Sequence, residues 1–222
     1  KGLCRIGVHS ECSALLSGYL GSIENGGALI DFWNKVKTVV SDPVYCCNTV
    51  MGDINEGVYV DYELLTFFMN YLLPQAMIVV ANTFEAGLLT GENVSDIGSA
   101  HCAAETILSK ESKMTIITSV LLEEERGNKT IGNLYVDAFG GWLVRNSMVK
   151  LNAKGLGDLV TALWLGKFIK TRDGIDALRF SIGCVQALLG YNKVEDVREL
   201  PMFDAQKTWL YRPPKVSAER VR

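Results

Sequence analysis

The chain has 222 residues, 48% of them hydrophobic and 21% charged, enough for one large domain or two small ones and unlike a disordered or fibrous polymer. Lys plus Arg number 22 against 25 for Asp plus Glu, a formal net charge of -3, so the basic excess of a nucleic-acid binder is missing. The mean hydropathy of +0.16 suggests several strands buried on both faces, and no apolar run is long enough to cross a bilayer.

In chain order, Ser13 to Tyr19 reads as a short strand running into a glycine turn. A helix follows, with Leu29, Phe32, Trp33 and Val36 on one face and Asp31, Asn34, Lys35 and Lys37 opposite. Pro43 to Val50 is strand-like and closes in a turn at Gly52-Asp53. Asp61 is placed to cap a second amphipathic helix bearing Leu64, Phe67, Phe68 and Tyr71, which Pro74 stops. Met77 to Ala81 is a compact apolar strand leading to Asn82, and Ser95-Asp96 open a helix that runs to about Leu108.

Met114 to Ser119 is the next strand, and the polar run from Glu123 to Thr130 is expected to be an exposed turn. Asn133 to Phe139 and Trp142 to Leu151 form a hairpin around Gly140-Gly141. From Gly157 a helix carries Val160, Leu163, Trp164 and Phe168, and a last long helix carries Leu178, Ile182, Val185 and Leu189 before a stop at Gly190. The tail after Pro201 is expected to be irregular, with Pro213-Pro214 blocking a continuous helix. Strands alternate with helices and are apolar along their length, which implies a mainly parallel sheet covered on both faces, a three-layer α/β sandwich forming one domain over residues 1–222.

The 6 cysteines contain no Cys-x-x-Cys pair and there are only 2 histidines, which disfavours a zinc site. All six thiols read as reduced and mostly buried in a cytoplasmic protein, with Cys46 and Cys47 pointing to opposite faces of a strand. His9 and His101 lie apart from the other polar motifs and read as structural or exposed. The start at Lys1-Gly2-Leu3-Cys4-Arg5 has no signal-peptide run and no Met, so the numbering is expected to begin inside a longer product.

In an open α/β sheet, ligands bind beyond the carboxyl ends of the strands. The polar groups expected there are Gly18-Tyr19, Asn48 to Asp53, Asn82 to Glu85, Thr118-Ser119 and the turn Gly155-Leu156-Gly157-Asp158. In that turn two glycines allow close backbone approach, the following helix aims its free N–H groups at an anion, and Asp158 is placed to take a proton from a hydroxyl. A plain turn with an acidic first-turn residue explains the same four residues, and on those four alone the plain turn is the preferred reading. Val160 stands where a dinucleotide fingerprint needs its third glycine, and no P-loop motif occurs. Asn82 and Glu85 are spaced either for a hydrated Mg²⁺ with nucleotide phosphates or for a helix capping box, and the two readings are compatible. Thr118 and Ser119 suit phosphate oxygens, or simply end a strand.

The ordered set Ser17-Gly18-Tyr19-Leu20-Gly21, Cys47-Asn48-Thr49-Val50-Met51-Gly52-Asp53, Gly57-Val58-Tyr59-Val60, Asn82-Thr83-Phe84-Glu85-Ala86-Gly87-Leu88-Leu89-Thr90-Gly91, Ile117-Thr118-Ser119 and Gly155-Leu156-Gly157-Asp158 resembles the pyridoxal kinases of the ribokinase-like superfamily. The resemblance implies ATP-dependent phosphorylation of the 5′-hydroxyl of pyridoxal, pyridoxine or pyridoxamine. It makes Asp158 the base and the N–H groups of Gly155, Leu156 and Gly157 the anion hole. It assigns Asp53, Asn82 and Glu85 to the Mg²⁺ and phosphate region, with Asn48, Asp53 and Glu85 as the metal-side residues. Thr118 and Ser119 then contact ATP phosphates, and Tyr19 and Tyr59 border the vitamin. It further implies a cytoplasmic homodimer that binds ATP and a B6 vitamer.

Four departures stand out. Asn48 replaces the family's usual aspartate and is expected to weaken metal attraction. Val80-Ala81-Asn82 replaces Thr-Pro-Asn, and Leu156 replaces a threonine, adding bulk beside the phosphate. The first strand and substrate loop of the family are expected to be missing, exposing a sheet edge. The alternatives are a hydroxymethylpyrimidine kinase of the same superfamily, against which Asp158 argues because those tend to carry Cys there, and a catalytically impaired remnant or pseudokinase.

Overall fold

The computed structural model describes residues 2–108, 112–123, 129–148, 154–191, 200–211 and 213–221. Its centre is a 7-stranded sheet in the order β1-β2-β5-β6-β7-β8-β9. Strands β1 (Ala14–Ser17), β2 (Val44–Asn48), β5 (Ile78–Asn82) and β6 (Met114–Glu123) pair in parallel. The sheet continues antiparallel through β7 (Lys129–Asp137), β8 (Gly140–Ser147) and β9 (Ala218–Val221). A two-stranded ribbon, β3 (Gly52–Asp53) with β4 (Gly57–Val58), stands apart at the end of β2.

Alternation along the strands builds two cores. Tyr45, Cys47, Val79, Ala81 and Ile117 face one layer of helices, and Val44, Cys46, Ile78, Val80 and Ile116 face the other. Cys46 and Cys47 therefore point to opposite faces, as their adjacency in a strand requires. The first layer holds α2 (Ile23–Val39), α3 (Tyr62–Phe67), α4 (Thr83–Thr90) and α5 (Ile97–Leu108). The second holds α6 (Leu156–Thr171) and α7 (Gly174–Leu189), whose Trp164, Phe168, Leu178 and Ile182 are buried against the sheet. Each fully buried side chain of this size contributes roughly 1.5–3 kcal/mol. A short α1 (Gly2–Arg5) precedes the sheet, and α8 (Gln206–Trp209) packs Trp209 beside Cys184 and Leu188 of α7.

Local chemistry sets the element ends. The Ser22 hydroxyl accepts from the Asn25 N–H at the start of α2, and Asp173 accepts from Ile175 and Asp176 at the start of α7. Asp61 occupies the N-cap position of α3 without a side-chain bond. The second helix continues as a π-turn, Phe68–Leu72, before Pro74, and this wider turn leaves Tyr71 exposed rather than in the core. Gly190 ends α7 but in a right-handed conformation, so it stops the helix without the left-handed cap that glycine usually provides.

The expected hairpin is present, but its turn is Ala138-Phe139 and not Gly140-Gly141, which pair with Asp137 and Val136 as the first residues of β8. Residues 149–151 at the end of its second strand, and 124–128 of the expected exposed turn, lie outside the described residues. The tail departs from the expectation: it contributes α8, and its β9 completes the sheet beside β8. Four-residue elements carry too little periodicity to register in the sequence. All six cysteines are free thiols, but only Cys46, Cys47 and Cys184 are buried; Cys102 is exposed. Among the described residues no helix is long and apolar enough to cross a membrane.

Candidate active site

The parallel strands end at a cleft of about 350 Å³, which the start of α6 also borders. Asn48, Asp53, Tyr59, Asn82, Glu85, Thr118, Ser119, Gly155, Gly157 and Asp158 all line it. Ten of the twelve residues expected at the site thus meet in one cavity, although up to 110 positions separate them in sequence. Tyr19 sits instead on an adjoining pocket of about 220 Å³ that shares Tyr59 with the cleft. Leu156 turns its side chain toward the α6–α7 core, so it adds no bulk beside the cleft, contrary to expectation. Its backbone N–H remains at the helix start.

That helix start is built for an anion. Gly155 takes a left-handed φ of 90°, and no side chain caps the first turn of the 16-residue helix α6. A Cβ on Gly155 or Gly157 would meet nothing within 4 Å, so a ligand atom has room to reach the backbone. The first amide groups of a helix have no intrahelical acceptor and carry the positive end of the dipole. Asp158, in this first turn, is exposed to the cleft.

One oxygen of Asp158 is held: the Asn48 amide donates to its Oδ1 at 2.8 Å. Gly18, just beyond β1, also comes close: a Cβ there would lie 3.3 Å from the same oxygen. The residue that departs from the family's aspartate therefore orients the candidate base with a neutral donor. This contact spans 110 positions and was invisible in the sequence.

Glu85 is 4% exposed and serves the protein's own backbone. Its Oε1 accepts from the N–H of Met51 at 3.0 Å and of Gly52 at 3.5 Å. Its Oε2 accepts from the N–H of Asn82 at 2.9 Å and from the Thr49 hydroxyl at 3.2 Å. Asn82 answers through the capping box, accepting from the Glu85 N–H at 2.9 Å, and its amide donates to the Gly52 carbonyl at 2.8 Å. The capping alternative is thus realised, and both residues pin the β2–β3 loop onto α4. Burial raises the Glu85 carboxyl above its ordinary range, opposed by these N–H bonds.

Asp53, on the ribbon, accepts from the N–H groups of Asn55 at 2.8 Å and Glu56 at 2.9 Å. The Glu56 N–H, then that of Asn55 and the nearby Lys154, hold its carboxyl below the usual range against some desolvation. Val50 and Val80, within the expected segments, complete the wall, and Lys154 and Glu56 also line the cleft and were not anticipated. Lys154 was findable as the lysine next to the Gly-x-Gly turn, whereas Glu56 carried no signal. The Lys154 ammonium pairs with Glu56 and lies 3.7 Å from Asp53 Oδ2. Tyr59 is pushed up to about 12, by burial first and then by the negative field of Glu85, Asp53, Asp158 and Glu56.

At the end of the parallel part of β6 the ladder slips between Ile117 and Val120, and Ser119 adopts a left-handed φ of 64°. This bulge turns Thr118 and Ser119 into the cleft. Strained backbone of this kind persists where the surroundings hold it, often at functional sites.

Residues 8–195 match the family model described as phosphomethylpyrimidine kinase. A pyridoxal kinase of Deinococcus radiodurans is 31% identical over 220 residues, which cover 97% of this chain and 74% of that protein. In fold, the chain is similar to the pyridoxal kinase of Trypanosoma brucei, with a TM-score of 0.82 at 22% identity over 99% of this chain and 76% of that one. It is likewise similar to the Leishmania donovani pyridoxal kinase solved with ADP and pyridoxamine, with a TM-score of 0.79 at 20% identity over 100% of this chain and 78% of that one.

Proposed function

This chain belongs to the pyridoxal kinase family of phosphotransferases, and on that premise we propose that it transfers the terminal phosphoryl group of ATP to the 5′-hydroxyl of a B6 vitamer. The observation that carries the reading is Asp158, set in the uncapped first turn of α6 and oriented by Asn48 within the cleft where the strand ends converge. Asp158 takes the proton of the 5′-hydroxyl, and that oxygen forms a bond to the γ-phosphorus. The bond from phosphorus to the β–γ bridging oxygen breaks, and ADP leaves. The N–H groups of Gly155, Leu156 and Gly157 stabilise the charge on the transferring group. Thr118 and Ser119 hold phosphate oxygens, while Tyr19 and Tyr59 border the vitamin ring.

Among the described residues no three acidic, His or Cys side chains converge on one point, so the cleft offers no preformed cage for an ion. The donors present still suit Mg²⁺, which binds through one or two carboxylates plus waters and substrate phosphates. Asp53 and the carbonyl oxygen of Asn48 would face such an ion, which lowers the charge on the phosphates. Glu85 and Asn82 act behind them, by fixing the loop that carries Asp53. We further read residues 1–222 as one kinase domain, active as a cytoplasmic homodimer.

A coupled assay of ADP release with pyridoxal, pyridoxine and pyridoxamine tests the reading. Asp158→Ala is expected to lower kcat by about 10²–10⁴-fold, the usual contribution of a positioned base. Unchanged turnover in that variant removes Asp158 from the role. The family model's description favours a second reading, phosphorylation of a hydroxymethylpyrimidine. Faster turnover of that alcohol than of any B6 vitamer would establish it instead.

A further inference from the structure

The cleft wall is acidic, with Asp53, Glu56, Glu85 and Asp158, and among the described residues lining it Lys154 is the one cation. A nucleotide entering there brings several negative charges of its own. The start of α6 meets them with about half a positive charge. Lys154 adds a whole one, directly before Gly155, so its backbone is anchored to the turn that forms the anion hole. We propose that Lys154 grips the terminal phosphate of the nucleotide, and that Glu56 and Asp53 merely park its ammonium at the cleft mouth beforehand. The proposal rests on the kinase reading of this cleft and adds to it a phosphate contact outside the matched motifs.

The exchange of partners is cheap. The Lys154 side chain is 73% exposed and that of Glu56 53%, so their pairing contributes little. An ammonium on a four-carbon stem is a mobile point charge and needs no fixed geometry to find a phosphate oxygen. The parked position also has a use: with Lys154 beside Asp53 and Glu56, the empty cleft does not set these carboxylates against each other uncompensated. When a phosphate takes over the ammonium, Asp53 is freed to face the cation carried in with the nucleotide.

Calorimetric titration of the full chain with AMP-PNP and with ADP tests this, since AMP-PNP has the terminal phosphate and ADP lacks it. Lys154→Met is expected to weaken AMP-PNP by about 10-fold or more, as loss of a charge-assisted contact does, and to change ADP binding by less than about 2-fold. Lys154→Arg is expected to recover most of the difference. Glu56→Gln, which removes the charge of the ammonium's nearer partner, is expected to leave AMP-PNP binding equal or tighter. Equal AMP-PNP affinity in Lys154→Met overturns the proposal. So does equal weakening by Lys154→Met and Glu56→Gln, because the pair would then be a clamp between turn and ribbon. Wild-type binding of AMP-PNP without phosphorylation of any vitamer would refute the substrate reading and leave the Lys154 comparison intact.

Discussion

Asn48→Asp restores the residue usual in the family and is expected to damage this particular site. In the structure the Asn48 amide donates to Asp158 Oδ1 at 2.8 Å. The substitution removes that hydrogen bond to a charged group, worth about 1.5–3 kcal/mol, and sets one carboxylate against another. Two unit charges about 4 Å apart repel by roughly 4 kcal/mol at an effective dielectric near 20, and the openness of Asp158 to the cleft reduces this substantially. A net loss of about 3 kcal/mol at alkaline pH follows, or a fall of about 6–12 °C in Tm for a chain of this size. The sign with pH is fixed: two carboxylates in contact share a proton as the pH falls, so the variant approaches wild type in acid and loses stability as the pH rises. Melting curves in EDTA at several pH values, with Asn48→Ala beside them, separate the repulsion from the lost hydrogen bond. Turnover near neutrality should also fall at least 10-fold, because a proton held by the pair blocks the base. If Asn48→Asp and Asn48→Ala melt together at every pH, the 48–158 contact does not exist in solution.

Glu85→Gln should lower stability by about 1–3 kcal/mol, since an amide NH₂ cannot accept the N–H and hydroxyl bonds that one carboxylate oxygen takes. Because burial raises the Glu85 carboxyl, wild-type stability should also decline as the pH climbs through that raised value, a slope absent from Glu85→Gln. Denaturant titrations across pH check both points, and parallel profiles would refute the second. Ser119→Gly should raise Tm by about 2–4 °C by relieving roughly 1 kcal/mol of left-handed strain, while weakening nucleotide binding through loss of the hydroxyl. A lower Tm would mean that the Ser119 side chain supports the bulge.

The sheet was legible because each buried strand carries its own signal. Ile78, Val79 and Val80 are almost fully buried, and a continuous apolar run between turns and amphipathic helices has few other solutions. The ends of the parallel strands were legible for the same reason, and with them ten of the residues that line the cleft. The β3–β4 ribbon, the π-turn after α3 and the tail strand β9 were not, because each is too short to show a period. Their existence depends on what they pack against.

The site divides along the same line. The Asn82–Glu85 capping box joins residues three apart and could be read directly, whereas Asn48 with Asp158 and Lys154 with Glu56 meet across 110 and 98 positions. Residue types at those positions therefore carried only part of their meaning when considered alone: Asn48 showed a lost charge but not its partner, and Leu156 was expected to obstruct the phosphate. In the fold, Asn48 is a donor that fixes the candidate base, and Leu156 keeps only its N–H at the helix start. A departure from a family pattern is thus informative only once its neighbour is known. Where the neighbour is a carboxylate, a neutral donor orients it without competing for its proton.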